Sequence, residues 1–459
     1  MNSKAAYFIG IGGAGMSALA RYLHNNNVAT SGYDRTATRL TEALQKEGLE
    51  INFEDSIEAI PEDILGLKPV ELLLVITPAI PEDNIQLNHL KSLGHSPIKR
   101  AELLGEITSK GSSIAIAGTH GKTSTTAILA HIMDGTPKGC NAFLGGISAC
   151  NNSNFYESKE AKWTIVEADE FDRSFHHLHP TNGLITSLDP DHLDVYGDEK
   201  SFIEAFEIFA SQIRGKILVS ESVELSTQGV EKYGLSHSEN GGKNLDHFAY
   251  SISNLKTGTN CNLSLANGSV IIENLVAPLY GNHNLENLVG AAALAHYAGA
   301  TPEEIKGRIQ SFSGIYRRFQ IHTNTDDVVY VDDYAHHPTE IKKTIEAVRE
   351  HFPDRHLTVI FQPHLYSRTS DQLKGFCREL AKCDHLIILP IYAARENPIE
   401  GVNAQLILDN ISHPHAETST INSIFENLKA YSVDVILTLG AGDIDTIVPS
   451  LIDFTSMDA

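Results

Sequence analysis

The sequence predicts an α/β protein built from three successive α/β domains. Short apolar runs alternate with longer amphipathic stretches along most of the chain, and the alternation restarts after a glycine-bearing connection near residue 314. Two apolar runs end in glycine loops, at residues 10–15 and 118–121, that open directly into helical stretches. No period of 20–50 residues repeats, which excludes a solenoid.

Composition bounds the reading further. At 459 residues the chain exceeds one ordinary core, so two to three domains are expected. Hydrophobic residues make up 42% and charged residues 20%, the balance of a folded protein. A net charge of −23 argues against nucleic acid or an anionic membrane as partner. It leaves nucleotides open, because a loop can cradle phosphate locally. The five cysteines are scattered and form neither a disulfide framework nor a CxxC metal site, which fits a reducing compartment. No stretch of 18 consecutive apolar residues is present. Glycines interrupt the first apolar run where a signal peptide needs continuity, so a cytoplasmic protein is expected.

The first domain is expected over residues 1–110. A strand at Ala5–Ile9 runs into Gly10-Ile11-Gly12-Gly13-Ala14-Gly15 and then a helix, which satisfies G-x-G-x-x-G in its proper context. The next strand, 28–33, ends at Asp34, where a Rossmann-like domain grips a ribose. By motif alone this is a dinucleotide-binding domain. A further strand, Leu72–Ile76, leads into Thr77-Pro78-Ala79, and Arg100 precedes a helix that closes the domain.

The second domain, 111–314, opens with a strand at 113–117, the loop Gly118-Thr119-His120-Gly121-Lys122-Thr123-Ser124, and a helix. This is the layout of a P-loop ATPase: glycines turn N–H groups toward phosphate, Lys122 meets the β- and γ-phosphates, and the Thr123 hydroxyl holds Mg²⁺. The loop is a short form, with Ile116 where the usual pattern has its first glycine. Strand 163–166 delivers Glu167, and strand 183–188 leads to His192. Thr123, Glu167 and His192 are the expected metal shell, His192 less firmly because Mg²⁺ prefers oxygen. A helix at 201–214, a strand at 216–219, an antiparallel patch at 245–276 and an alanine-rich helix at 288–298 follow.

The third domain, 315–459, is again Rossmann-like. Its strands at 328–331 and Leu357–Phe361 precede His336-His337 and Arg368, groups suited to anionic substrate or to transition-state charge. Arg317 and Arg318 in the connection suit either acidic neighbours or phosphate. The cysteines and Trp163 read as core.

IGIGGAGMSALA, PIKRAELLGEI, IAGTHGKTSTTA, VEADEFDRSF, DPDHLDVYG, GNHNLENLVGAAA, DDYAHHPTE, FQPHLYSRT and GAGDI occur in this order. Together they resemble the Mur ligase family, and within it the members that add alanine. The resemblance covers nearly the whole chain and is weakest at about 220–275. It implies ATP-dependent joining of L-alanine to the lactyl carboxylate of UDP-N-acetylmuramate through an acyl phosphate, in peptidoglycan precursor synthesis. It reassigns the first glycine loop from a dinucleotide to the diphosphate of the sugar nucleotide, held by Gly10, Gly12, Gly13, Ala14, Gly15, Asp34, Thr77, Ala79 and Arg100. It implies ATP on Gly118, Thr119, His120, Gly121, Lys122, Thr123, Ser124, His283 and Asn287, with Mg²⁺, or Mn²⁺ in its place, on Thr123, Glu167 and His192. Tyr334, His336 and Arg368 then face the amino acid, and Lys122, Glu167, His192, His336 and Arg368 carry the catalysis. Two departures stand out: Leu365 occupies a position where some members carry arginine, and helix 202–214 offers no lysine for carbamylation. The competing readings are a ligase for a recovered tripeptide, an NAD-dependent oxidoreductase resting on the first loop alone, and a P-loop switch.

Overall fold

The computed structural model describes residues 3–190, 193–239, 244–394, 396–429, 431 and 433–457. It is an α/β protein with three sheets, as the sequence predicts. The first sheet contains β1 (Ala5–Ile9), β2 (Ala29–Tyr33), β3 (Glu50–Asn52), β4 (Leu72–Ile76) and β5 (Ile98–Lys99), ordered β3-β2-β1-β4-β5 and parallel throughout. All five residues of β1 are buried: Ala6 and Phe8 face one apolar cluster, and Ala5, Tyr7 and Ile9 another. Covering both faces is why β1 reads as a continuous apolar run rather than an alternating one. The chain changes direction between β1 and β4, so the loops after those strands border the crevice where such sheets take ligands.

The second sheet runs through β6 (Ser112–Ala117), β7 (Cys140–Ser148), β8 (Ser153–Tyr156), β9 (Trp163–Glu167), β10 (Asn182–Ile185), β11 (Ile217–Ser220), β12 (Val230–Leu235), β13 (His247–Leu255), β14 (Gly258–Leu265) and β15 (Val270–Ala277). Its order is β15-β14-β13-β12-β11-β10-β6-β9-β7-β8. Parallel neighbours β9 and β10 flank β6, so the switch point of this sheet falls over the loop that follows β6. Two residues join β13 to β14 and four join β14 to β15, connections that permit only antiparallel pairing. The third sheet has β16 (Gln320–Asn324), β17 (Val329–Asp333), β18 (Leu357–Phe361), β19 (His385–Ile388), β20 (Ala416–Thr418) and β21 (Val435–Leu439), ordered β16-β17-β21-β18-β19-β20. Only β16 is antiparallel there.

Contacts divide the chain into two compact units. One is Met1–Ser251, Cys261–Leu275 and Glu286–Ser313, and the other is Ile252–Asn260, Val276–Leu285 and Gly314–Ala459. Inside the first unit, the first two sheets share a core. Leu103, Leu104 and Ile107 of helix Arg100–Ser109 join one cluster with Ala115, Ala117, Phe175 and Leu178. A polar tie adds to it. Arg21, 4% exposed, pairs with Glu47 at 2.7 Å and donates to Asn154, whose amide donates to the Ala14 carbonyl at 2.6 Å and the Ser17 hydroxyl at 2.9 Å. Each of these buried groups finds a partner, which removes the desolvation penalty of leaving one unpaired.

Of the two alternatives for Arg317 the structure shows acidic neighbours: it pairs with Asp332 at 3.6 Å and Asp445 at 3.7 Å and donates to the carbonyls of Gly440 and Gly442. Two expectations are corrected. Cys150 and Cys377 are only partly buried, while Cys140, Cys261 and Cys383 are core. Trp163 is half-buried, its indole N–H donating to the Ala298 carbonyl at 3.0 Å.

One buried histidine makes stability depend on pH. His131 is 6% exposed in helix Lys122–Asp134, with Ser311 Oγ at 3.1 Å and Arg308 Nη2 at 3.3 Å. Burial, with the Arg308 charge second, lowers its pKa to about 4. As pH falls below the ordinary histidine value, the unfolded chain takes up a proton that the folded chain refuses, so stability present at pH 8 is lost on acidification. The contribution of this group at pH 5 is roughly 2 kcal/mol. Urea midpoints measured at pH 8 and pH 5 should therefore fall less in His131→Gln than in the parent; an equal fall excludes His131 as the source.

Candidate active site

The phosphate loop is held from both sides. Gly118 has φ +124°, and a Cβ there would lie 2.1 Å from Thr186 Oγ1; Gly121 has φ +84°, and a Cβ there would lie 2.6 Å from Asn287 Oδ1. Only glycine satisfies both the backbone angle and the space at these positions. The edge beyond β10 fixes the turn: Thr119 N–H donates to Ser187 O at 3.2 Å, His120 N–H to Ser187 Oγ at 2.9 Å, and Thr119 Oγ1 to Asp189 O at 2.7 Å. His120 Nε2 lies 3.4 Å from Asp189 Oδ2. Helix Lys122–Asp134 then opens with no side-chain cap from Gly121, so the N–H groups of its first turn, Lys122, Thr123 and Ser124 among them, form an anion-facing end.

Two carboxylates at and just beyond the end of β9, Glu167 and Glu170, face this loop. Glu167 accepts from Thr123 Oγ1 at 3.1 Å and from the Gly145 N–H. Glu170 pairs with the Lys122 ammonium through both oxygens, at 2.8 and 2.9 Å. Asp169 pairs with Arg100 at 3.1 Å. Glu167 and Thr123 thus present two hard oxygen donors side by side, a set that fits Mg²⁺. Among the described residues no three His, Cys, Asp or Glu side chains assemble into a metal cage. A cation held here would draw much of its coordination from outside the protein, as Mg²⁺ commonly does. His192 lies outside the described residues.

The first glycine loop converges as well. Gly10 and Ile11 N–H groups donate to Tyr33 O, and the Gly12 N–H donates to Asp34 Oδ2 at 2.8 Å. Thr77 Cγ2 and the Arg100 guanidinium close on Gly10 and Gly15. Helix Ala14–Asn25 starts after Gly13 without a side-chain cap. Ala79 is exposed on the loop after β4. Arg100 therefore touches the first loop on one side and Asp169, two residues beyond Glu167, on the other.

In the second unit, Tyr334, His336, His364, Arg318 and Arg368 gather beyond β17 and β18. The His336 ring lies 5.4 Å from that of Tyr334 and 5.7 Å from that of His364, and the Arg318 guanidinium sits 5.0 Å over Tyr334. His336 Nδ1 lies 3.0 Å from Tyr334 O and 3.3 Å from Glu340 Oε2. Burial lowers the His336 pKa; the Glu340 carboxylate opposes this, and the Arg368 and Arg318 charges reinforce it. Asp333, buried at the end of β17, accepts from the Phe319 and Ala335 N–H groups at 2.7 Å each. His283 in helix Asn282–Tyr297 is half-buried, and the desolvation of its ring lowers its pKa to about 3.

Sequence reasoning missed Glu170, Asp169 and His364 as site residues. The first two stood in plain view in the run EADE after an apolar strand, the signal by which Glu167 was found. His364 stood three residues beyond β18 and four before Arg368.

Comparison with known proteins decides the family. Residues 5–111 match the model of the Mur ligase family catalytic domain, 116–295 the Mur ligase middle domain, and 317–442 the Mur ligase glutamate ligase domain. The chain belongs to the Mur ligase family. It is 42% identical over 448 residues to the UDP-N-acetylmuramate–L-alanine ligase of Porphyromonas gingivalis, covering 97% of both chains. It is likewise 42% identical over 446 residues to the enzyme of that name from Flavobacterium johnsoniae, covering 97% of this chain and 96% of the relative. The crystal structure of UDP-N-acetylmuramate–alanine ligase from Thermotoga maritima superposes with a TM-score of 0.81 at 24% identity, covering 99% of this chain and all of that one. A murein peptide ligase from Psychrobacter arcticus gives 0.66 at 20% identity, covering 98% of each. These likenesses to solved structures bear on the fold.

The placement of Lys122 in the loop gives a direct expectation. Lys122→Ala removes the ammonium at the anion-facing end and should lower ATP-dependent phosphate release by about 10²-fold or more, the scale of one lost electrostatic contact to a transition state. Nucleotide binding through the backbone cradle should persist in calorimetry. Phosphate release at the parental rate contradicts the role.

Proposed function

We propose that this chain is an ATP-dependent, ADP-forming ligase that joins L-alanine to the lactyl carboxylate of UDP-N-acetylmuramate in cytoplasmic peptidoglycan precursor synthesis. The observation that carries the reading is the pair of glycine loops at two switch points of one compact unit, both reached by segment 167–170. An oxidoreductase resting on the first loop leaves the second without a purpose. Full-length similarity to alanine-adding relatives supports the choice of amine.

The working division is residues 1–110 for the sugar nucleotide, 111–314 for ATP and 315–459 for the amino acid. Gly10, Gly12, Gly13, Ala14, Gly15, Asp34, Thr77, Ala79 and Arg100 are assigned to the sugar nucleotide. Gly118 to Ser124, His283 and Asn287 are assigned to ATP. Tyr334, His336 and Arg368 are assigned to the amino acid. Thr123 and Glu167, with His192, are the assigned ligands of Mg²⁺, which when bound neutralises phosphate charge and orients the γ-phosphoryl group.

A carboxylate is repelled by a triphosphate, and the protein's first task is to offset that repulsion. The Lys122 ammonium and the first-turn N–H groups of its helix supply fixed positive charge where the γ-phosphoryl group moves. The substrate carboxylate attacks the γ-phosphorus in line, ADP departs, and an acyl phosphate forms. The alanine amine then attacks the acyl carbon and phosphate leaves. His336 is assigned as the base. A carbonyl only accepts, so the Nδ1–H donates to Tyr334 O, and in the neutral ring Nε2 carries the lone pair. The lowered pKa keeps the ring neutral at pH 7, ready to take a proton from the amine.

The test is phosphate release with ATP, UDP-N-acetylmuramate and each amino acid in turn, with a tripeptide as an additional acceptor. Release should require the sugar nucleotide and be fastest with L-alanine; preference for the tripeptide overturns the choice of amine. Substrate carrying ¹⁸O in the lactyl carboxylate should then give inorganic phosphate with one label. Labelled AMP with pyrophosphate excludes the acyl phosphate and leaves the ligase reading standing.

A further inference from the structure

The Lys122 ammonium has three N–H donors, and the protein itself offers an acceptor for each. One meets Gly118 O at 2.6 Å, and the others meet the two Glu170 oxygens. Thr119 O stands further off at 3.4 Å. The side chain of Glu170 is 2% exposed and that of Lys122 17%, so this is a buried ion pair. The carboxylate is held in place by its backbone: Glu170 begins the turn into the 3-10 helix Phe171–His177, and the Tyr196 hydroxyl donates to its carbonyl.

A nucleotide at this loop meets a lysine that is already neutralised. Lys122 cannot simply leave Glu170 for a phosphate. That would leave a buried carboxylate unpaired beside further negative charge, with Glu167 and Asp169 of the same sign nearby, and breaking a buried pair is strongly unfavourable. Sharing resolves the conflict: the ammonium turns one donor to phosphate and keeps another on Glu170.

From this geometry, and resting on the reading of the loop as a nucleotide site, we propose that Glu170 is a positioning residue. It pins the Lys122 ammonium between its own carboxylate and the terminal phosphates. A lysine side chain is long and flexible, and ordering it before the reaction converts a mobile charge into a preorganised one. The cost falls on ground-state binding, because a fixed negative charge sits close to the triphosphate. Glu170 therefore weakens nucleotide binding and speeds phosphoryl transfer, the signature of interaction reserved for the transition state. A carboxylate present only to stabilise the fold has no reason to move these two quantities in opposite directions.

The experiment uses the full chain and two variants. Calorimetry with the magnesium complex of adenosine 5′-(β,γ-imido)triphosphate reads binding, and phosphate release at saturating substrates reads kcat. Glu170→Gln keeps the shape and removes the charge; it should bind this probe about tenfold more tightly and lose kcat by about tenfold. In a Lys122→Ala background the same change should cause no further loss of kcat, because the group it positions is gone. Glu170→Asp keeps the charge and draws it back by one methylene; its probe affinity should match the parent and its kcat should fall about fivefold. This second variant carries the test if Glu170→Gln does not melt at the parental temperature. Unchanged or weaker probe binding by Glu170→Gln, or parental kcat in Glu170→Asp, overturns the proposal. A parent that does not bind the probe overturns the nucleotide reading of the loop instead.

Discussion

Three carboxylates within four residues organise the first unit. Glu167 meets the hydroxyl of Thr123, Glu170 the ammonium of Lys122, and Asp169 the guanidinium of Arg100. They reach different partners because the strand β9 ends at Glu167 and the chain turns at once into a 3-10 helix, so successive side chains fan out instead of alternating across a sheet. The segment lies at the carboxyl edge of a parallel sheet next to its switch point, the place where such sheets collect ligands. Displacing it would loosen the phosphate loop's lysine, its hydroxyl donor and the arginine over the first glycine loop together.

That arrangement explains why the first two sheets share one core. Arg100 opens the helix Arg100–Ser109, and the apolar face of that helix packs with Phe175 and Leu178, which follow the carboxylate segment. The Arg21–Glu47–Asn154 tie acts between the same two layers through helix Ala14–Asn25. Apolar burial supplies most of the attachment, and the hydrogen-bonded polar groups fix its register. In the second unit the same logic recurs on a smaller scale. β17 and β18 end on either side of β21, and the segments that follow them bring Tyr334 and His336 to His364 and Arg368.

The architecture was legible in the sequence wherever strands are covered on both faces. β1, β4 and β18 were read to the residue, and β6, β10 and β11 within three residues of their bounds, because doubly buried parallel strands are unbroken apolar runs. β3, β7, β8, β16 and β20 were not foreseen. β16 reads Gln-Ile-His-Thr-Asn with every residue half-buried, an edge strand whose pattern carries no apolar run. β7 contains two glycines and an asparagine, residues that local rules assign to turns, and is held by pairing with β8 and β9.

Sequence alone determined the two glycine loops, the lysine and threonine that follow the second, Glu167, and the family to which the ordered motifs point. Each is a local pattern whose chemistry is written in consecutive residues. Tertiary structure decided the partners. Lys122 pairs with Glu170, 48 positions away, Arg100 with Asp169, 69 positions away, and Arg317 turns into its own core. A charged side chain carries no mark of its counter-ion in the sequence, because pairing depends on which strand ends the sheet order brings together. That order is fixed by burial of apolar surface across the whole unit, a property no single stretch of sequence contains.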